Sequence, residues 1–265
     1  MNDQPAAAPP DLLRRDGNGV AWLTMNRPQA RNALSLELMT AMESELAAIG
    51  DDPATHVVVI AGTGPAFCAG HDLREMRSHT EREAYEVLFA QCSRLMLRIV
   101  SLPKPVIARV HGIATAAGCQ LVATCDLVVA ADTARFATPG VNLGLFCSTP
   151  MVALSRAVGR KAAMEMLLSG EPIDAAKACA LGLVNRVVPE AELDAAVTAL
   201  AEQIAGKSPL TLAIGKEAFY RQAEMKLADA YAYAAEVMTR NMLARDAEEG
   251  IDAFLQKRTP VWSGT

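Results

Sequence analysis

The apolar positions of this chain change period as it runs, and the changes mark successive elements. Val20-Ala21-Trp22-Leu23-Thr24-Met25 is a short apolar run closed by Asn26-Arg27-Pro28, which reads as a strand ended by a turn. Leu38, Met39, Met42, Leu46 and Ile49 then recur at helical spacing until Asp51-Asp52-Pro53, completing a first strand-then-helix unit. Val57-Val58-Val59-Ile60 lacks polar alternation, the pattern of a strand buried on both faces, and Gly62-Thr63-Gly64-Pro65 ends it. Ser78 and Glu81 stand at capping-box spacing before Tyr85, Leu88, Phe89, Cys92, Leu95, Met96 and Ile99, which predicts a second helix capped by that pair.

Pro103 and Pro105 stop this helix, Val106-Ile107-Ala108-Arg109-Val110 is the next strand, and the apolar stretch from Gly118 to Thr124 predicts a buried helix before the strand Leu127-Val128-Val129-Ala130. Such alternation belongs to an α/β chain with a βα-wound, layered core. Thr149-Pro150 reads as an N-cap followed by a first-turn proline, Gly170-Glu171-Pro172 interrupts the helical signal, and Leu183 through Val188 predicts a last strand. From about Glu190 the pattern is helical, with a restart at Ser208-Pro209. The expected organisation is a disordered N-terminus over 1–10, a core domain over 11–204 and a C-terminal helical region over 205–265.

Composition narrows the class. A chain of 265 residues, 51% hydrophobic and 21% charged, can fill a real core. A net charge of −5 without a run of Lys or Arg argues against nucleic acid or an anionic membrane surface as the main partner. The six cysteines form no CxxC pair and lie mostly among apolar or small neighbours, as free thiols in a reducing compartment do. The first ten residues lack a basic and an apolar leader segment, and no stretch reaches the roughly 18 apolar residues of a membrane span, so a soluble, cytoplasmic protein is expected. No Cys/His spacing suits a metal, and no Walker or dinucleotide-binding glycine fingerprint is present.

The candidate chemistry lies in two runs of tiny residues. Phe67-Cys68-Ala69-Gly70-His71-Asp72-Leu73 and His111-Gly112-Ile113-Ala114-Thr115-Ala116-Ala117-Gly118-Cys119-Gln120 each follow a strand, where small side chains let main-chain N–H groups approach a ligand as an oxyanion hole requires. Together with Asn26-Arg27-Pro28-Gln29-Ala30-Arg31-Asn32-Ala33-Leu34, they make the chain resemble the crotonase (enoyl-CoA hydratase/isomerase) superfamily from about residue 17 to residue 262. The run TAAGCQL…FATPGVNLGLFCSTP resembles its enoyl-CoA hydratase domain-containing branch. The resemblance implies the crotonase (ClpP/crotonase-like) fold, a superhelical core of repeated ββα units, with C-terminal helices that build homotrimers, often stacked in pairs. It also implies an acyl-CoA or enoyl-CoA substrate, with coenzyme A as part of the substrate and no separate cofactor.

Carried over by position, the oxyanion donors are the backbone amides of His71 and Ala117. Arg31 and Arg74 take the places that meet CoA phosphates in relatives, while Ala33, Ala69 and Leu73 line the path of the cofactor moiety. Asp72 is expected to orient its turn through bonds to the main chain. The departures matter equally. Where hydratases carry two glutamates, this chain reads Gln120 and Gly140, neither of which transfers protons near neutral pH, and the acidic position used by some isomerases and dehalogenases falls a few residues beyond the second, close to Ser148.

Other residues invite chemistry and have plainer expected roles. The resemblance uses only the main chain of His71, so no side-chain role is expected there. Glu81 is a candidate replacement acid or base whose simpler role is the cap with Ser78. Cys147 would be a nucleophile only if a helix starting at Pro150 lowered its pKa, and buried packing is expected instead. His111 is expected to bond to the main chain, and His56 to lie at the surface. The implied function is an acyl-CoA thioester-processing enzyme, enoyl-CoA hydratase-like, with isomerisation, thioester hydrolysis or non-catalytic acyl-CoA binding as alternatives because of Gln120 and Gly140.

Overall fold

The computed structural model describes residues 9–265, so most of the segment expected to be disordered lies outside the described residues. The chain begins with a hairpin: β1 (Leu12–Gly17) runs antiparallel to β2 (Val20–Met25) through Asn18 and Gly19, at φ 52° and 74°. Two left-handed residues match the twist of the flanking strands. This strand escapes sequence reading because its side chains are largely exposed and leave no apolar run.

From β2 to β6 each strand of the large sheet is followed by a short extended segment in a second layer and then by helix. β2 leads through Leu34 to α1 (Leu36–Asp51), whose N-cap Ser35 accepts from the Leu38 amide. β3 (Val57–Gly62) leads through Cys68 and His71 to α2 (Leu73–Ser78) and α3 (Arg82–Ser101). β4 (Val106–Val110) is followed by β5 (Ile113–Thr115) and α4 (Ala117–Thr124). β6 (Leu127–Ala131) is followed by β7 (Arg135–Ala137), a 3-10 turn (Pro139–Leu143), α5 (Pro150–Ala157) and α6 (Arg160–Ser169). β8 (Ile173–Asp174), α7 (Ala175–Leu181), β9 (Arg186–Val188) and α8 (Leu193–Ala205) complete the core, and α9 (Pro209–Ala223), α10 (Leu227–Met242) and α11 (Arg245–Gln256) come after it.

The large sheet has the order β1-β2-β3-β4-β6-β9 and is parallel beyond the first hairpin. A second sheet joins β5, β7 and β8, and single bridges from Cys68 to Ala114 and from Leu34 to His71 extend that layer. Side-chain alternation assigns the faces. Val57 and Val59 join Val20, Ile107 and Val129 against Leu193, Val197, Leu200 and Ala201 of α8, whereas Val58 and Ile60 face the main core with α1, α3 and α4. A strand buried on both sides explains why VVVI carries no polar period.

Three expectations are corrected. No capping box starts α3: Ser78 is the last residue of α2 and donates to the Glu75 carbonyl at 2.8 Å, and Glu81 is an N-cap without a side-chain bond. Thr149 precedes Pro150 in helical geometry and likewise makes no capping bond. The strand expected from Leu183 is reduced to β9, because Leu183 and Val184 fold into the core after the left-handed Gly182.

Candidate functional site

The two small-residue runs meet at the edge where the layers join. After β3, the amides of Phe67, Cys68 and Ala69 donate to the carbonyls of His111, Ile113 and Arg31 at 3.1, 3.0 and 3.0 Å, and the Leu34 amide donates to the Gly70 carbonyl at 2.7 Å. After β5, the Thr115 amide donates to the Cys68 carbonyl and the Ala116 amide to the Ala137 carbonyl, both at 2.9 Å. Beside two positions this ladder takes a neighbouring amide: Asp72 donates to the Leu34 carbonyl at 3.2 Å and Ala116 to that of Ala137. Among the described residues, the His71 and Ala117 amides donate to no acceptor. They are the two donors named by resemblance.

The absence of side chains brings these amides together. A Cβ at Gly70, whose φ is +98°, would lie 2.9 Å from Ala116 Cβ and 3.4 Å from the Ala117 nitrogen. At Gly118 it would lie 2.2 Å from the Cys68 carbonyl oxygen. Ala116 itself sits at φ 51° and ψ −119°, a left-handed conformation that costs an L-residue roughly 1–3 kcal/mol. That strain, between a strand end and the first residue of α4, turns the Ala117 N–H out of the ladder.

Two residues outside the sequence-based site hold the first arm. Asn32, fully buried at φ 53°, accepts from the Arg27 amide and donates to the Thr63 and Ala66 carbonyls, each at 2.8 Å. Arg27 reaches the Ala33 carbonyl and pairs with Asp72 at 2.9 Å and Asp11 at 3.1 Å. Polar residues beside a turn were the signal available for both. Asp72 caps α2 by accepting from the Arg74 and Glu75 amides. Burial would raise its carboxyl, but the Arg27 guanidinium and those amides outweigh this and hold it below the ordinary carboxylate value. Arg31 and Arg74 are exposed and form no ion pair among the described residues, and Leu73 is half-exposed beside Arg74. Ala33 is buried, and Ala69 is partly exposed on the first arm.

The positions of the missing glutamates each have a thiol beside them. Gln120 on α4 is 5% exposed, and the Cys92 thiol of α3 donates to its Oε1 at 3.8 Å. Burial pushes the Cys92 thiol up to about 12, so it stays protonated. Gly140 lies in the 3-10 turn, where a Cβ would come 2.7 Å from the Leu145 carbonyl oxygen and 2.8 Å from Cys147 Sγ. Cys147 is buried, and burial raises its pKa although the Gly140 amide partly offsets this. Its surroundings are those of a packed thiol. Ser148 is exposed and donates to the Phe146 carbonyl at 3.3 Å. Glu81 is likewise exposed.

The histidines divide clearly. His111 is buried with Nε2 2.8 Å from the Gly64 carbonyl, as expected, whereas His56 is half-buried with Nδ1 2.9 Å from the Ala205 carbonyl instead of free at the surface. His79 is exposed. His71 is different. Neither ring nitrogen has a hydrogen-bond partner or measurable contact with solvent, and the ring meets Phe89 of α3 edge to face at 5.6 Å.

Comparison with known proteins agrees with this architecture. The enoyl-CoA hydratase/isomerase family matches residues 15–265. A crystal structure of an enoyl-CoA hydratase from Mycobacterium smegmatis is 55% identical, with a TM-score of 0.94 over 96% of this chain and 99% of that one. Enoyl-CoA hydratase domain-containing protein 3, mitochondrial, from Xenopus laevis is 48% identical over 96% of this chain and 86% of that protein. The 2,3-dehydroadipyl-CoA hydratase of Escherichia coli K12 is 40% identical over 92% of this chain and 95% of that one. These names correct the expected cytoplasmic location: the frog protein and its rat, human, mouse and zebrafish counterparts, at 45–48% identity, are all designated mitochondrial. Free thiols and the absence of a membrane-crossing helix among the described residues do not separate one reducing compartment from another. By the match along nearly its whole length and by its fold, the chain belongs to the enoyl-CoA hydratase/isomerase (crotonase) family.

Proposed function

We propose that this chain binds acyl-CoA thioesters and processes them in the manner of the enoyl-CoA hydratases, with the thioester oxygen held between the His71 and Ala117 amides. The observation that carries this reading is the convergence of two free main-chain donors across Gly70. A thioester oxygen gains negative charge when its α-carbon loses a proton, when its β-carbon is attacked or when the carbonyl itself is attacked. Donors aimed at that oxygen strengthen as the charge develops, and each is worth about 3–4 kcal/mol where one has been removed. The exposed guanidiniums of Arg31 and Arg74 offer a landing for the phosphates of CoA, with Ala33, Ala69 and Leu73 beside them. A mitochondrial setting, the one named for the vertebrate relatives, is consistent with free cysteines.

The test is a panel of short, medium and aromatic enoyl- and acyl-CoAs, with turnover followed by mass spectrometry and binding by calorimetry. Binding of at least one ester is expected, weakened about tenfold, or about 1.4 kcal/mol, by the pair Arg31→Glu and Arg74→Glu. No binding by any ester ends the reading. Binding without turnover selects sequestration over catalysis.

Hydration by a glutamate pair is not latent in this site. The space beside Gly140 is taken by the Leu145 carbonyl and Cys147, although Leu145 lies on an exposed loop that can shift. The double change Gln120→Glu and Gly140→Glu is therefore expected to lower stability by about 1–3 kcal/mol through overpacking and to install no hydration of a short enoyl-CoA. Hydration rising by the 10²- to 10⁴-fold typical of a placed acid or base would show that the loop opens and that the pocket was merely disarmed.

The C-terminal helices complete the proposal. α10, α11 and the turn between them expose Leu227, Tyr231, Leu243, Phe254 and Leu255 at 71–84%. Apolar surface of this extent belongs against another protein surface, and a homotrimer or a stacked pair of trimers is the assembly we propose for it. Light scattering on the purified protein tests it: a monomer would remove this element.

A further inference from the structure

Between β3 and the first arm the chain turns through Thr63, Gly64, Pro65 and Ala66. Asn32 holds the outer carbonyls of this turn, those of Thr63 and Ala66, at 2.8 Å each. The Gly64 carbonyl is held from elsewhere, by His111, whose Nε2 lies 2.8 Å away. His111 stands directly after β4 and opens the second run of small residues, so one side chain spans the roots of both arms. Its main chain joins in: the Phe67 amide donates to the His111 carbonyl at 3.1 Å. Gly112, at φ 58°, packs so closely on the turn that a Cβ there would lie 2.3 Å from the Pro65 carbonyl oxygen.

The partners of the ring fix its charge. A guanidinium only donates, so Nδ1, 2.8 Å from Arg109 Nη1, is an acceptor. A carbonyl only accepts, so Nε2 carries the proton and donates to Gly64. Both bonds exist together only in the neutral ring, and a second proton on Nδ1 would set a donor against a cation. Arg109 is held from its other side by Asp194 of α8, which accepts from its Nε at 2.7 Å. Glu190, in the 3-10 turn Glu190–Glu192 that precedes α8, is the other carboxylate acting on the ring. Burial lowers the pKa of His111 most and Arg109 adds to this, while the Gly64 carbonyl, Glu190 and Asp194 pull the other way without overcoming it.

Resting on the acyl-CoA reading above, we infer that His111 is a positioning residue for both main-chain donors, and that acid disarms the site by adding a second proton to this ring while the rest of the fold stands. His111 acts through the Gly64 turn on the arm that carries the His71 amide, and through its own place in the chain on the arm that carries the Ala117 amide. The clamped form binds fewer protons than an opened one, in which the histidine titrates near its ordinary value of about 6.5. The clamp is therefore firmest above that pH, and opening gains on it as the pH falls below.

Hydrogen–deuterium exchange of peptides spanning residues 63–71 reads the clamp without any ligand, and comparing variants at one pH cancels the intrinsic exchange rate. His111→Ala is expected to exchange there about tenfold faster than native protein at about pH 7.5, and the gap to shrink to within about threefold at about pH 5.5 as the native ring takes up its proton. His111→Gln offers a carbonyl to Arg109 and an amide donor to Gly64 but does not titrate. It is expected to keep near-native protection at about pH 7.5 and to retain it at about pH 5.5, where native protein loses it. His56, His71 and His79 stay in every variant, so the difference belongs to His111. Exchange in His111→Ala within about twofold of native at about pH 7.5 overturns the inference, as does a native acid response that persists in His111→Gln. Calorimetry with an acyl-CoA adds the functional readout: His111→Ala is expected to weaken binding about tenfold at about pH 7.5, His111→Gln to restore it, and acid to weaken native protein more than His111→Gln. Unchanged affinity in His111→Ala despite faster exchange also overturns the inference. If native protein binds no acyl-CoA, the acyl-CoA reading falls, while exchange still decides whether His111 holds the arms.

Discussion

Gly118→Ala is expected to lower stability by more than about 3 kcal/mol, and to abolish turnover of any thioester the protein processes. The added Cβ would stand 2.2 Å from the Cys68 carbonyl oxygen, 2.8 Å from its carbon and 2.9 Å from Cys68 Cβ. The first two atoms are main chain, held by the Thr115 amide at 2.9 Å, so no flexible side chain can swing away. Relief requires the two arms to part by about 1 Å, a displacement that costs roughly 10²-fold in rate when reacting groups must meet. For a chain of this length the stability loss corresponds to a fall in Tm of about 6–12 °C. Thermal unfolding measured beside the thioester panel decides it: a Tm within 2 °C of native with turnover intact would mean that α4 does not seat on Cys68.

The second large effect lies far from the site. Lys216 of α9 places its ammonium 2.6 Å from Asp126 and donates to the Ile99 and Lys104 carbonyls at 2.8 and 2.9 Å, using all three protons. Asp126 also receives the Tyr220 hydroxyl at 2.8 Å and the Val106 amide at 2.7 Å. The pair is nearly buried, with side-chain exposures of 7% and 16%. Lys216→Met leaves a buried carboxylate without its counter-charge and two carbonyls without donors, and is expected to cost about 3 kcal/mol. Adding Asp126→Asn should recover part of this, because it removes the uncompensated charge. Urea titration of the two variants measures both quantities. A loss under 1 kcal/mol for Lys216→Met would make the latch incidental, and α9 would then owe its place to apolar contacts.

The legibility of each element in the sequence depends on how that element is stabilised. β2, β3, β4 and β6 and the helices α1, α3 and α4 bury their side chains, so their period is written in the chain. β5, β7 and β8 are two or three residues long and are held by ladder bonds to neighbours distant in sequence, which leaves no period to read. The small-residue runs are legible as the meeting point of the two arms because Gly70 and Gly118 are dictated by contact distance, and that demand appears directly as residue type. Arg27 and Asn32 were overlooked, since a polar residue at a turn looks the same whether it meets water or ties two loops together. The orphaned ring of His71 and the filled space at Gly140 were invisible for a related reason: both depend on Phe89, Leu145 and Cys147, which only the folded chain brings near.

The bridges that join the second layer also govern when this site comes into being. Leu34 meets His71, Cys68 meets Ala114, and Thr115 reaches back 46 residues to the Ala69 carbonyl. None of these closures is local, so each carries a loop entropy that only the next layer of packing can offset. During synthesis, a nascent chain that has emerged only as far as α3 has one arm and no partner for it. On the acyl-CoA reading proposed above, the ligand has nothing to bind until β5 and α4 have emerged and seated, and it should act late, on the folded side of the barrier, slowing unfolding while leaving the rate of folding nearly unchanged.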